Sequence, residues 1–288
     1  MFIRRPFMLL ALAAWLGLVS MAPTVARAQE DEKPALPAGW SFLTLERNFD
    51  RILADWREPY TGVKVFGADE RDETSMEASI GAYVCLARHH APEFDQTWQF
   101  GLEGSFFSLF DWSDGGSLES RANDYRVSFV VSYSRGPIQA RLQIGHLSSH
   151  PGDDALAGDR PDAEKIFWED LHGLVSWQAN DWLRIYTGGR VYLTHTDEAG
   201  SADFQGGLEL AYPIEGSVLT PYLAADLQIQ DRTDNDLNIS VEGGIRIAGL
   251  GDRLGLRLYA FIYDGDNPSA VFSQEETTRY GVGFSLDY

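Results

Sequence analysis

The chain has 288 residues, 44% of them hydrophobic and 12% aromatic, with 23 basic side chains against 43 acidic ones and a net charge of −20. That aromatic content excludes a disordered chain, and the acidity excludes a nucleic-acid binder, which needs clustered Lys and Arg to meet phosphates. A single cysteine, Cys85, excludes an internal disulfide and a CxxC metal site.

Residues 1–28 read as a secretory signal peptide. Arg4 and Arg5 form a basic start, Met8 to Val19 an apolar stretch, and Ala26-Arg27-Ala28 a small-x-small cleavage pattern. The apolar run is too short for a membrane anchor and is followed by Pro23. Cleavage near Ala28 removes three arginines and no acid, so the exported remainder carries −23. The rest of the chain holds no second long apolar run, which excludes a multi-span helical membrane protein. An exported chain of this kind is either soluble in the periplasm or a β-barrel.

Residues 29–59 form the next unit. Residues 29–39 are charged and Pro-rich and predict a linker. Over 41–54, Phe42, Leu45, Phe49, Ile52 and Leu53 fall near helical spacing. That spacing predicts a short amphipathic helix in a periplasmic segment, packed at the mouth of a barrel or plugging it.

From residue 60 to 288 the period changes to two. A strand with one face to lipid and one to a lumen must alternate apolar and polar. Tyr125, Val127, Phe129, Val131 and Tyr133 oppose Arg126, Ser128 and Ser132. Leu254, Leu256, Leu258, Ala260 and Ile262 oppose Arg257, Tyr259 and Tyr263. The final strand sets Tyr280, Val282, Phe284, Leu286 and Tyr288 against Arg279, Gly281, Gly283, Ser285 and Asp287. Its terminal aromatic resembles the signal read by the outer-membrane barrel-assembly machinery, an expected partner during insertion.

About twelve such strands are predicted, near 60–67, 74–89, 97–112, 121–134, 137–148, 166–178, 181–194, 202–212, 220–231, 236–247, 252–264 and 276–288. Each approaches the roughly 9–11 residues that cross a bilayer, and closed bacterial barrels have an even count. If the chain ends in the periplasm, 135–136, 179–180 and 248–251 become short inner turns. Residues 113–120, 149–165, 195–201 and 265–275 then become longer outer loops rich in Gly and Asp. This sorting of loop lengths is the barrel asymmetry. The expected fold is all-β: an antiparallel transmembrane barrel of about twelve strands behind a short periplasmic segment.

The polar faces carry both signs, among them Glu103, Arg141, Arg184, Glu209, Glu242 and Arg257. Within a narrow lumen mixed signs predict pairing and a filled interior.

One strand carries a candidate chemistry. In PIQARLQIGHLS (137–148), His146 and Ser148 share the apolar, lipid-directed face with Ile138, Ala140, Leu142 and Ile144. A His two residues from a Ser on one face supplies a base beside a nucleophile. On the next strand Glu169 shares a face with Phe167 and Leu171, which makes it the candidate orienter of His146, with Asp170 second. Polar residues are also ordinary where a strand leaves the membrane. A metal reading uses the following stretch, with His150, Asp153 and Asp154 as ligands for Ca²⁺ or a transition metal.

His146-Leu147-Ser148 resembles the H-x-S strand of two outer-membrane lipid esterase families, phospholipase A and the lipid A 3-O-deacylase. The resemblance implies an outward catalytic pair near the outer leaflet and phospholipid or lipopolysaccharide as substrate. At 149–150 the chain has Ser-His where those families have Asn. Four further stretches, ILADWREP at 52–59, NDYRV at 123–127, GHLSSHPGDD at 145–154 and WEDL at 168–171, together resemble a domain-of-unknown-function family of bacterial outer-membrane-like barrels. That resemblance spans about Phe49 to the end and implies fold and location, with no established activity. The expected function is an outer-membrane barrel of structural or small-solute role. The alternatives are a lipid esterase on Ser148, His146 and Glu169, and a porin-like channel in the outer membrane of a Gram-negative bacterium.

Overall fold

The computed structural model describes residues 38–287 except 45, 70, 114, 197–199, 232–235 and 250. The predicted signal peptide, most of the predicted linker and Tyr288 lie outside the described residues.

Thirteen strands form one antiparallel sheet. They are β1 (Gly39–Thr44), β2 (Thr61–Ala68), β3 (Arg71–Ala91), β4 (Gln96–Trp112), β5 (Leu118–Arg135), β6 (Ile138–Pro151), β7 (Ile166–Asn180), β8 (Leu183–His195), β9 (Ala202–Ala211), β10 (Leu219–Gln230), β11 (Asp236–Gly249), β12 (Gly251–Asp266) and β13 (Glu276–Asp287). Each of β2 to β13 pairs with its sequence neighbour. β13 returns to β2 with Val282 opposite Val65 and Phe284 opposite Val63. The twelve strands therefore close into a barrel, the condition for a sheet in lipid.

The predicted alternation sets which face looks inward. Ile144 on β6 and Val282 on β13 are 50% and 61% exposed, while Glu77 on β3 and Asp170 on β7 are 0% exposed. This barrel is apolar outside and polar inside. Two aromatic levels frame the apolar band. Trp98 and Tyr133 meet at 4.7 Å near one end, and Phe106 and Tyr125 meet at 4.9 Å near the other. Eight residues separate Tyr125 from Tyr133 on one face of β5. At ~3.3 Å per residue and a tilt near 40°, the levels stand about 20 Å apart across the bilayer.

Two-residue connections at 136–137 and 181–182 lie at the Trp98 end, and the 14-residue connection 152–165 lies at the other. By the usual asymmetry the long-loop end is the outer end. That connection contains the short helix α1 (Asp153–Ala157), which packs on β5. The outer connection 267–275 turns inward, where Asn267, Ser269, Ala270 and Phe272 are buried. Ala270 and Val271 donate backbone N–H groups to Asp124 and Ser149.

The predicted helix over 41–54 is a correction. Residues 39–44 form a strand, and the described residues of 46–60 cross the lumen without forming a helix. The reason is local. β3 runs twelve residues past its last partner on β2, Ser79, so its backbone groups near 85–90 need another ladder. β1 supplies it, with Trp40 opposite His89 and Phe42 opposite Ala87. The apparent helical spacing joins two different environments. Phe42 faces outward, whereas Phe49 and Ile52 are buried against Leu174 and Tyr186.

The lumen segment has no ladder of its own, so barrel side chains satisfy its backbone. Asn48 N–H donates to Gln99 (2.9 Å) and Leu53 N–H to Glu209 (2.8 Å), while Arg184 donates to the carbonyls of Asp50 and Arg51. Trp56 packs edge-on against Phe66, Phe261 and Tyr263 and donates its Nε1–H to Glu77 at 3.0 Å. Mixed charges inside the barrel pair as the sequence predicts: Arg184 with Glu209, Arg257 with Glu242, Arg47 with Glu103 and Arg141 with Glu58. The lumen is thus lined with paired side chains and crossed by a pinned segment.

Candidate functional site on the outer wall

β6 pairs with β5 and β7 without a register shift, so its pleat is unbroken from Ile138 to Ser149. Arg141, Gln143, Leu147 and Ser149 are buried, while His146, Ser148 and His150 share the opposite face and are partly exposed. Both predicted residues therefore point out of the barrel. Ser148 lies directly opposite Tyr125 on β5 and Phe167 on β7. That places it at the outer aromatic level, where ester carbonyls of membrane lipids meet water.

His146 lies directly opposite Glu169, and its Nδ1 is 3.6 Å from Glu169 Oε1. The two side chains are 45% and 46% exposed. The predicted orienter thus faces the predicted histidine. The ring of His146 also stacks over Phe167, centroids 6.4 Å apart. Asp170, the second choice, points inward and is bound by both nitrogens of the Arg126 fork at 2.7 Å and by Trp168 Nε1 at 3.0 Å. It belongs to the lumen.

The Ser148 hydroxyl makes its hydrogen bond to His150, with Oγ and Nε2 2.8 Å apart. Sequence reasoning assigned His150 to a metal and missed this pairing. The signal was present, because residues 148 and 150 share a strand face as 146 and 148 do. The His150 ring stands edge-on to Tyr125, centroids 5.9 Å apart, and Asn123 is its cross-strand neighbour. Ser149, between them, turns inward to bond Asp124.

The predicted metal set does not assemble. Beyond Pro151 the chain leaves the sheet, Asp153 and Asp154 open α1, and Asp154 accepts the N–H of Ser120 at 2.7 Å. His150 stays on the barrel wall. Among the described residues no group of three or more His, Cys, Asp or Glu side chains is arranged to hold a metal ion.

The residues thus brought together are a hydroxyl bonded to an imidazole, with a second imidazole facing a carboxylate on the same wall. The model of the family described as "Protein of unknown function (DUF1207)" matches residues 31–288. The chain belongs to this family. No curated protein matches it. Among solved structures, the barrel resembles outer membrane phospholipase A from Escherichia coli at 14% identity and a TM-score of 0.52, covering 80% of this chain and 90% of that one. It also resembles the Salmonella typhi outer membrane phospholipase dimer with bound calcium at 13% identity and a TM-score of 0.55, covering 84% and 94%. At such identity the likeness shows the fold: this DUF1207 chain is an outer-membrane-type β-barrel.

Proposed function

We propose that this barrel works at its outer wall, as a serine esterase acting on acyl esters of outer-leaflet lipid. The observation that carries the reading is the hydrogen bond between Ser148 and His150 at the outer aromatic level. A hydroxyl is a weak nucleophile unless a base takes its proton. Ser148 Oγ attacks the ester carbonyl carbon as its proton passes to His150 Nε2. The carbonyl oxygen gains negative charge, and His146, facing Glu169, flanks Ser148 with an N–H donor for it. The alcohol leaves with the proton from His150, and water then releases the fatty acid from Ser148. The paired side chains and the segment crossing the lumen disfavour a porin reading.

In the same reading the chain is exported by residues 1–28, cleaved near Ala28, and inserted by the barrel-assembly machinery. Its substrate is phospholipid or lipopolysaccharide, the two acyl-ester lipids of that leaflet.

The test is fatty-acid release by refolded full-length protein from both lipids, with and without Ca²⁺. Release that falls at least 100-fold in Ser148→Ala supports the esterase. No release by wild-type protein of native barrel fold under any of these conditions returns Ser148, His146 and His150 to interfacial structure.

A further inference from the structure

β1 stands apart from the twelve strands that close the barrel. It pairs with β3 along one edge, and among the described residues no strand pairs with its other edge. Its sequence, GWSFLT, presents Trp40, Phe42 and Leu43 at 59%, 66% and 73% exposure. Single exposed apolar residues are ordinary, but three large ones on so short a strand form a patch that marks an interaction surface.

The register says what this patch continues. Trp40 lies opposite His89 on β3, His89 opposite Trp98 on β4, and Trp98 opposite Tyr133 on β5. The rings of Trp40 and His89 are 5.0 Å apart, as those of Trp98 and Tyr133 are 4.7 Å apart. Trp40 therefore carries the Trp98–Tyr133 aromatic row across β3 and onto β1. Phe42 stacks with Trp40 at 6.2 Å and lies opposite Ala87, which is opposite Phe100 of the apolar band. Ser41, between the two rings, turns the other way and accepts the Nε–H of Arg88 at 3.2 Å. Leu43 breaks the alternation. Its φ of 53° lies in the left-handed region that such a side chain rarely adopts. Held against that preference, Leu43 stays at the surface next to Phe42.

We infer that β1 is an interfacial anchor, seated in the headgroup–acyl boundary of the phospholipid leaflet that faces the periplasm, with Trp40, Phe42 and Leu43 as its lipid contacts. Aromatic rings favour that boundary, and apolar side chains dip below it. The free edge of β1 sets the depth. An unpaired edge is excluded from the hydrocarbon core, whereas at headgroup level water reaches its N–H and C=O groups. The lumen segment follows β1 directly, so the leaflet holds one end of it while Gln99 and Glu209 hold its middle inside the barrel. This surface lies at the opposite end from the outer-wall serine and does not depend on it.

The test uses full-length protein refolded into phosphatidylethanolamine–phosphatidylglycerol vesicles, with the lone thiol removed by Cys85→Ser. A nitrobenzoxadiazole dye is attached at Phe42→Cys, or at Glu215→Cys in the exposed connection 212–218 of the same end as the aqueous control. Quenchers are iodide in the water and lipid nitroxides placed near the headgroup or deep in the acyl chains. The dye at position 42 is expected to be quenched more by the shallow nitroxide than by the deep one, and about fivefold less by iodide than the control. Trp40→Cys gives the same reading if Phe42→Cys does not fold. Iodide quenching equal to the control, with none from lipid, overturns the proposal. Shielding from iodide without quenching by either nitroxide means that a protein surface covers β1, and overturns the choice of lipid. Strongest quenching by the deep nitroxide overturns the interfacial depth.

Discussion

Glu58 and Arg141 hold the lumen segment to the barrel wall through two parallel hydrogen bonds of 2.6 Å and 2.9 Å, although 83 residues separate them. Both side chains are almost fully buried. Glu58→Gln leaves the guanidinium without its countercharge, and this is expected to destabilise the barrel by about 3–5 kcal/mol. The double variant Glu58→Gln/Arg141→Met removes both charges and is expected to lose less than the single one. Urea unfolding in lipid vesicles measures both, and a double variant weaker than Glu58→Gln would contradict the assignment.

The same segment crosses the lumen. Wild-type protein in a planar bilayer is expected to show no stable conductance steps. Replacing residues 46–59 with a Gly-Ser stretch is expected to produce them, because the barrel strands close without this segment. Steady conductance from the wild type would contradict this expectation.

Trp56 joins two roles, ring packing and an N–H bond to Glu77. Trp56→Phe keeps a ring and removes the donor, with an expected loss of about 1–3 kcal/mol. Trp56→Ala also opens a cavity, with an expected loss of about 3–5 kcal/mol. Equal losses in the two variants would mean that packing contributes nothing beyond the hydrogen bond.

Ile144 sits on the lipid face opposite Phe129, midway between the aromatic levels. Ile144→Arg is expected to cost about 2–4 kcal/mol, the scale for a charge at mid-bilayer. A variant that refolds with wild-type stability would place this strand face away from lipid.

How much of this was legible follows from the range of the forces. The strands were readable because lipid and lumen impose alternation residue by residue, and the unbroken pleat of β6 carried His146 and Ser148 outward as expected. Glu169 was readable for the same reason, since neighbouring strands put it opposite His146. Residues 46–60 were not readable. Their conformation is set by partners such as Gln99, Arg141, Arg184 and Glu209, distant in sequence, and by the edge that β3 leaves open. His150 was misassigned because nearness in sequence grouped it with Asp153 and Asp154. The chain turns off the sheet between them, and the pleat gives His150 to Ser148 instead.

The outer-wall serine is the central claim, and covalent labelling tests it most directly. A lipophilic fluorophosphonate forms a stable phosphoester only with a hydroxyl that a base activates. Incubated with the full-length barrel in outer-membrane vesicles, it is expected to modify one residue, mapped by mass spectrometry to Ser148, with labelling lost in His150→Ala and retained in Ser149→Ala. An unlabelled Ser148 in folded protein, or labelling that survives His150→Ala unchanged, would contradict the account.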